Sequence, residues 1–387
     1  MKPATARGPL IIGALAVTLA LGWQALAVRY NYGGNWTSFF CTGGDLRQPP
    51  SLASEDLYSF PNSFGYDGQF YHYVAHDPLF RRGLDQYIDA PRLRYRRILV
   101  PALASIAALG HDAAIDPALV GVNLLFLFAG VYWLSRYIAG SGHYAAWGLL
   151  FLLAPAVLVS LDRLTVDLAL TALSMGFALY VAENQPRRLY AILVLAPLAR
   201  ETGLLLTAAY SISQFAGGRL KTACLFATSA LPALAWYAFV QSQTSPYSVA
   251  SWFTLLPFGG LVDRMIHPMH YPFGTLISGI ATGLDEVALA GMLMAFVLAF
   301  WLLKAQWLRP LQIAIALIAL SGLNLGKPFW EEAYAFGRVF SPLLAILALR
   351  SCSAPSWVPI LPLAMIVPRI GLQLGGQIVK VARGLFM

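Results

Sequence analysis

Long apolar runs recur along almost the whole chain, and this feature limits the possible fold more than any other. The first run, PLIIGALAVTLALGWQALAV at 9–28, has about the twenty residues that a helix needs to cross the hydrocarbon core of a bilayer. Over all 387 residues only 11% are charged, against roughly 25% in a soluble domain. No polar stretch is long enough for a separate soluble core of ~100 residues. The sequence therefore predicts one all-α polytopic membrane domain covering 1–387.

The first apolar run has two interpretations, because it follows Lys2 and Arg7 and contains the small-residue sequence ALA at 25–27. A basic start and a small-residue site are typical of a cleaved signal peptide. A run of about twenty residues instead favours an uncleaved membrane anchor, which is the interpretation that we prefer. Under either interpretation the segment that follows the run is exported.

Short basic links separate the later apolar runs and set the predicted orientation. With the N-terminus in the cytoplasm, every inner link carries Arg or Lys, as the positive-inside bias requires. About ten or eleven membrane helices follow from this frame. After the first run, their predicted positions are 117–139, 144–160, 164–182, a pair of short helices within 189–217, 222–241, 285–303, 311–326, 339–350 and 356–372. The net charge of +8 then reflects membrane orientation, and we expect no nucleic-acid partner.

Two outer loops are long enough to carry a site. The first covers 29–116 and contains the apolar run ILVPALASIAALG at 98–110, which is short, includes a proline and is typical of an interfacial or re-entrant helix. The second covers 242–284. Neither a disulfide framework nor metal-ligand spacing is visible in the cysteines, to which we assign no chemistry. They are Cys41, Cys224 and Cys352.

The acidic residues were not used to set the topology, so their positions are informative. Along the predicted topology, seventeen of the eighteen Asp and Glu residues fall outside or at outer helix ends, and only Glu183 falls inside. This distribution predicts chemistry on the outer face. The alternative is that longer outer loops collect acids by chance.

One outer carboxylate stands out, in the stretch FGYDGQFYHYV at 64–74. Asp67 lies between Gly65 and Gly68, and aromatic rings surround it in the sequence. On a helix these rings would cover much of one side, as in an amphipathic helix lying in the membrane interface. Such a helix would place Asp67 just above the bilayer surface.

The order of motifs in the first 220 residues resembles a known family. An aspartate soon after the first span and an interfacial helix precede the basic stretch RYRRILVPALASIAALG. Acids then follow a span in APAVLVSLDRLTVDLALTAL, and a cation lies between two short helices in LARETG. This order resembles the GT-C superfamily of polytopic glycosyltransferases, which take a sugar from a polyprenyl phosphate carrier. The sequence DGQFY resembles uncharacterised bacterial members that are linked to surface polysaccharide.

The resemblance implies a multi-pass enzyme of a bacterial inner membrane, surrounded by lipid, with a periplasmic active site. Its donor would be a polyprenyl-phosphate-linked sugar, and its acceptor a glycan, a lipid or a protein. Asp67 would be the general base of an inverting transfer, and Tyr66, Gln69 and Tyr71 would form an aromatic or acceptor site. A carboxylate can accept the hydroxyl proton as the new bond forms. Asp67 would equally suit the N-cap of the following helix, and the two roles are compatible.

Cations are needed to stabilise the departing phosphate, and arginine suits this task because its planar fork binds phosphate and keeps its charge near hydrocarbon. Arg200 is the strongest candidate for binding the phosphate, because it is predicted to lie at the apex of a hydrophobic hairpin. Burying a charge at such a position costs free energy, and charged residues found there are usually functional. The alternative is an internal ion pair of Arg200 with Asp162 or Asp167. The other candidates are Arg94, Arg96, Arg97, Lys327 and Arg338.

Metal binding is left open by the sequence. Some GT-C enzymes bind a divalent cation with acids of the first two outer loops, so Asp67 and Asp162, with Asp167 nearby, are the candidate ligands for Mg²⁺ or Mn²⁺. The first motif here is YDG and not a paired Asp-x-Asp, and acids also favour helix N-termini for electrostatic reasons. His72 and His76 have i, i+4 spacing, but HYVAH lacks the glutamate of the zinc-protease motif, so we expect no metal there.

The sequence therefore favours a membrane glycosyltransferase over two alternatives. A transporter or flippase of a lipid-linked glycan would place broken helices and polar residues near the bilayer midplane, often in repeated halves. No inverted repeat is visible in this chain, and acids crowded on one face favour a one-sided enzyme. A scaffold within a polysaccharide complex is the third possibility.

Overall fold

The computed structural model describes residues 7–246, 252–272, 274–306, 308–351 and 356–386, so Lys2 and Cys352 lie outside the described residues. These residues fold mainly into helices. The helices are α1 Arg7–Asn31, α2 Asp67–His76, α3 Pro91–Arg96, α4 Leu99–Ala107, α5 Ile115–Gly140, α6 Pro155–Arg163, α7 Asp167–Ala182, α8 Pro186–Ala199, α9 Leu204–Ala216, α10 Leu220–Ala227, α11 Leu231–Gln243, α12 Gly259–Ile266, α13 Thr275–Ala305, α14 Pro310–Ser321, α15 Lys327–Trp330, α16 Ala333–Val339, α17 Ser341–Ser351 and α18 Leu361–Phe386. Two short parallel strands, β1 Thr42–Gly43 and β2 Ser59–Phe60, pair in the first outer loop.

Several helices are long and apolar enough to cross a membrane, which confirms an all-α, multi-pass architecture. Five continuous stretches qualify within the described residues, and the number rises to seven if two helix pairs bent by 63° each count as one span. The continuous stretches are Arg7–Asn31, Asp112–Gly140, Leu220–Gln243, Thr275–Ala305 and Val358–Phe386. The structure thus supports five to seven spans, fewer than the ten or eleven helices that the sequence predicts.

Length explains the difference. The predicted spans at 164–182 and 311–326 are helices of 16 and 12 residues. At 1.5 Å per residue they rise by about 24 and 18 Å, less than the ~30 Å of the hydrocarbon core. The predicted span at 144–160 is bent, because Pro155 opens α6 and holds Ala154 in extended backbone. Hydropathy does not distinguish a helix buried in protein from one that crosses lipid. These two short helices are apolar because protein surrounds them.

The bent pair at 145–163 returns the chain toward the first outer loop. Helix α6 ends at Arg163, Leu164 adopts a left-handed conformation, and α7 begins at Asp167. Seven residues of the other bent pair form α16, which packs against α6 and carries Arg338 in its last turn. The breaks in both pairs therefore bring charged residues to one end of the helix bundle.

Helix α7 separates the two ends of the molecule. Asp167 lies in its first turn, whereas Glu183 follows its last residue and accepts two hydrogen bonds from Arg136, at 2.8 and 2.9 Å. Arg136 belongs to SRYIAGSGH and Glu183 to ENQPRR, two of the basic links that were predicted to lie inside. Sixteen helical residues place this pair about 24 Å from Asp167. Glu183 thus lies at the end of α7 opposite to Asp167.

Candidate functional site

Asp67 is the first residue of α2 and lies between two arginines. Arg94 donates a hydrogen bond of 2.9 Å to its carboxylate from one side, and Arg338 pairs with the other oxygen. Burial alone would raise the pKa of Asp67, but the charges of Arg338 and Arg94 outweigh it and hold this pKa well below its ordinary value. Asp67 is therefore an ionised, strongly paired carboxylate. The N-cap residue is Tyr66, so Asp67 does not have the capping role considered from the sequence.

Two glycines allow the chain to bring Asp67 into this position. A Cβ on Gly68 would lie 2.1 Å from the carbonyl oxygen of Arg163, so the first turn of α2 fits against α6 only without a side chain. Gly65 has a φ of +72°, and a Cβ there would lie 2.3 Å from the carbonyl oxygen of Cys41. The glycines that flank the aspartate in the sequence are requirements of close backbone packing.

Each cation of the site is held by an acid. Arg94 donates to Asp89 through two nitrogens, at 2.9 and 2.7 Å. Its guanidinium also lies 5.1 Å from the centre of the Phe70 ring. Asp89 thus holds the guanidinium of Arg94 in the position from which it also donates to Asp67. Nothing in the sequence indicated Asp89 as a partner.

A second chain of ion pairs continues from Arg338 into the bundle. Its Nη1 lies 3.5 Å from the Asp167 carboxylate, and Asp167 also pairs with Arg200 at the apex of the α8–α9 hairpin. The hairpin within 189–217 and the apical position of Arg200 are confirmed. Of the two acids proposed as its partner, the structure selects Asp167. Arg200 and Asp167 are both buried.

Arg97 completes the cationic side of the site. It donates to Glu201, next to Arg200, at 3.1 Å and to the Tyr71 hydroxyl at 3.1 Å. Arg94 and Arg97 are three residues apart and therefore share a face of this segment. Tyr71 is almost fully buried, and its hydroxyl serves the arginine. Glu201, which is part of the LARETG motif, is the second acid that the sequence analysis did not single out.

These groups line a cavity of about 280 Å³, close to the lower end of the ~300 to 1,000 Å³ range of ligand sites. Its charged lining consists of Asp67, Asp89, Arg94, Arg97, Arg200 and Arg338. Its apolar lining consists of Leu93, Trp252, Pro328, Phe329, Ala335 and Val339. The cavity therefore combines two carboxylates and four guanidiniums with an apolar wall, which suits an anionic ligand that also has an apolar part.

Two predicted phosphate ligands lie elsewhere. The guanidinium of Arg96 lies 5.5 Å from the centre of the Tyr237 ring, and Arg96 does not line the cavity. Lys327 pairs at 3.4 Å with Asp263, on the exposed surface of α12. Its neighbour Pro328 does reach the cavity. Both predicted segments thus reach the cavity, but the side chains of Arg96 and Lys327 do not line it.

The predicted aromatic or acceptor residues have mainly structural contacts. Gln69 accepts a hydrogen bond from the Gly43 N–H at 3.0 Å and donates to the Phe64 carbonyl at 2.9 Å, which fixes the loop before α2. The Tyr66 ring lies under the guanidinium of Arg338, 5.0 Å away. Tyr66 and Tyr71 thus each lie against an arginine that pairs with Asp67.

The donor set at Asp67 does not fit a divalent cation. Both of its carboxylate oxygens face arginines, and Asp162 pairs separately with Arg163 at 2.9 Å and with Gln377 at 2.7 Å. Within the described ranges, no group of three or more His, Cys, Asp or Glu donors that could hold a metal includes Asp67 or Asp162. The Mg²⁺ or Mn²⁺ site considered from the sequence has no structural support at these residues.

Comparison of the chain with models of protein families, with curated proteins and with solved structures finds no match.

Proposed function

We propose that the protein is a membrane glycosyltransferase whose active site is the cavity around Asp67. It transfers a sugar from a polyprenyl-phosphate carrier to a glycan, lipid or protein acceptor, with inversion, at the periplasmic face of a bacterial inner membrane. The observation that carries this proposal is the meeting of two carboxylates, Asp67 and Asp89, and four arginines in a single cavity with an apolar wall. The GT-C resemblance of the sequence supports the same reaction.

The arginines would bind the donor phosphate. Arg97, Arg200 and Arg338 reach the cavity from three different segments, so their guanidiniums can approach one ligand from several sides. Each is held at rest by a carboxylate, so the phosphate competes with these acids for the same donors. The apolar wall near Trp252 and Phe329 is suited to the first isoprene units or to the C–H face of a sugar.

Asp67 is a weak base while both arginines hold it, because efficient proton acceptance needs a pKa nearer to the working pH. A phosphate that attracts Arg338 would weaken this pairing and raise the pKa of Asp67. The acceptor hydroxyl would then give its proton to Asp67 while its oxygen bonds to the anomeric carbon. The bond from that carbon to the phosphate oxygen breaks, and its electrons leave with the phosphate. Donor binding thus prepares the base for the second substrate.

Incubation of the purified protein with a panel of polyprenyl-phosphate sugars tests the proposal. We expect sugar release or transfer with one donor class, and its loss in Asp67→Asn. Asp45→Asn is the matched control, because Asp45 is exposed in the same loop and does not line the cavity. Movement of an intact lipid-linked glycan across a vesicle membrane, without cleavage and unaffected by Asp67→Asn, would instead establish the transporter or flippase alternative.

Sidedness needs its own test, since the proposal places the first outer loop in the periplasm. In a background without native cysteines, Ser51→Cys should react with an impermeant thiol reagent in intact cells, and Gln185→Cys should not. Both positions are exposed, so accessibility within the protein does not bias the comparison. The opposite labelling pattern would refute the orientation and a periplasmic site.

A further inference from the structure

A second polar cluster lies at the other end of α2. His72 and His76 are four residues apart on one helix face, and both side chains are buried completely. Their Nε2 atoms lie 3.0 Å apart. Neither ring lines the cavity around Asp67. The cluster is therefore separate from the proposed active site.

Two carboxylates from distant segments converge on the same point. Asp116, in the first turn of α5, lies 2.8 Å from Nε2 of His72. Glu55, in the loop between β1 and β2, places one oxygen 3.4 Å from His72 Nε2 and the other 3.4 Å from His76 Nε2. The four donor atoms all lie within 4.8 Å of one another.

Hydrogen bonding alone satisfies this arrangement poorly. Nε2 of His72 carries at most one proton, yet it faces the Asp116 carboxylate, the Glu55 carboxylate and the second imidazole. Glu55 Oε2 is buried and has no hydrogen-bond partner. Two carboxylates and two imidazoles around one point offer an excess of lone pairs. A cation at their centre would satisfy all of them at once.

The distances suit a small four-coordinate ion. Bonds of about 2.0 to 2.1 Å in a tetrahedron separate neighbouring donors by about 3.3 to 3.4 Å. Nε2 of His72 lies 2.8 to 3.4 Å from Asp116, Glu55 and Nε2 of His76, which is close to this spacing, and the full set of four donor atoms lies within 4.8 Å. Two imidazoles and two carboxylates favour Zn²⁺ over Mg²⁺ or Ca²⁺, which prefer oxygen ligands alone.

An outer contact orients the His76 ring as a metal site requires. Nδ1 of His76 lies 3.2 Å from Asp112, whose carboxylate accepts two hydrogen bonds from Arg82, at 2.7 and 3.0 Å. A carboxylate on the far nitrogen fixes the tautomer in which Nε2 is free to bind a metal. The His72 ring stacks on Phe40, with the ring centres 4.1 Å apart and the planes 12° apart.

We propose that Glu55, His72, His76 and Asp116 form a structural zinc site, which nothing in the proposed transfer reaction requires as a catalyst. The ion would join the first outer loop, the last turn of α2 and the start of the span at Asp112–Gly140. All four coordination positions would be taken by protein, as in structural zinc sites. HYVAH contains no glutamate, so no metal was expected at this pair; the acids of the site come instead from positions 55 and 116.

Metal content of the full chain, purified with an affinity tag that contains no histidine, tests the proposal independently of any transferase activity. We expect one zinc per chain, removal by a strong chelator, and a visible absorption spectrum of four-coordinate Co²⁺ when cobalt replaces it. His72→Gln with His76→Gln should abolish both signals. His111→Gln should keep both, because His111 is exposed and belongs to no donor group. A wild-type chain that takes up neither zinc nor cobalt would overturn the proposal.

Milder variants keep the test decisive if the double variant does not fold. Asp112→Asn neutralises the carboxylate that contacts His76 Nδ1 and Arg82, leaves all four proposed ligands in place, and should weaken zinc binding by about 10- to 100-fold. Glu55→Gln should weaken it further, because it exchanges a charged ligand for a neutral one. Asp112 is about half exposed, with 53% of its side chain accessible, so its replacement should leave folding intact. Zinc affinity equal to that of the wild type in both variants would refute the assignment.

Discussion

Replacement of Arg200 by alanine is the most informative perturbation of the site, because this residue faces both the cavity and a buried acid. Arg200 pairs with Asp167, and only 6% and 2% of their side chains are accessible. Arg200→Ala would leave Asp167 with Arg338 alone, whose Nη1 is 3.5 Å away and whose Nη2 pairs with Asp67. The variant therefore removes one phosphate ligand and also leaves a buried charge poorly compensated.

The expected cost follows from that geometry. Breaking a buried ion pair by removing one partner typically costs ~3 to 5 kcal/mol. The remaining contact with Arg338 compensates in part, so we expect about 3 kcal/mol, at the lower end of this range. Adding Asp167→Asn removes the uncompensated charge and should restore most of the lost stability. Arg200→Lys should fall between the wild type and Arg200→Ala, because it keeps the charge and loses the fork.

Two measurements on the same variants separate the structural role from the binding role. Unfolding in detergent reports stability, with Arg81→Ala as a control that should change it by less than about 0.5 kcal/mol, since Arg81 is exposed. Binding of a polyprenyl-phosphate sugar reports the phosphate role. We expect the Arg200→Ala, Asp167→Asn double variant to be stable yet to bind the donor more weakly. A stable double variant with wild-type donor affinity would refute the phosphate role of Arg200.

Three further outcomes follow from the described contacts. Asp67→Asn should lower the transfer rate by about 10²- to 10⁴-fold without loss of folding, checked by thermal unfolding, because each of its arginines keeps a second acid. The pKa of Asp67 is lower in the folded chain than its value of ~4 in the unfolded chain, so its ion pairs stabilise the fold at every pH above ~4. This stabilisation is lost as the pH falls below ~4 and through the pKa of the folded state. An acid limb of kcat/KM near neutral pH that disappears in Asp67→Asn would contradict this pKa. Gly68→Ala should destabilise the protein by about 1 to 3 kcal/mol in the same unfolding assay, whereas Gly121→Ala, which meets no neighbouring atom, should not.

The sequence predicts the helical elements well where local composition determines them. The helix at 115–140, the hairpin around Arg200 and the short helix at 98–110 all follow from apolar run length and from prolines. The number of spans is less predictable, because a buried helix of 16 residues and a membrane helix have the same composition. Only the surrounding protein distinguishes them.

The directions of some side chains could have been predicted from the sequence. Arg94 and Arg97 line the cavity and Arg96 does not, which the i, i+3 relation would have indicated if a helix had been predicted at 91–96. The pairing of His72 with Asp116 could not be predicted from the sequence, because 44 residues separate them and no local pattern connects them. Long-range contacts of this kind depend on how the first outer loop packs on α5.

Helix α2 links the two proposed sites, and metal dependence can distinguish between them. Asp67 is in the first turn of α2, and His72 lies about 7.5 Å further along the helix axis. An ion bound by the histidines would therefore stabilise the helix without contacting the groups that react. Chelation should therefore lower thermal stability, and transfer activity should decline with it and return with Zn²⁺ but not with Mg²⁺. Asp67 would keep its contacts with Arg94 and Arg338 in the metal-free chain. Activity that needs Mg²⁺ or Mn²⁺ at unchanged stability would instead place a metal at Asp67, against the paired arginines that the structure shows there.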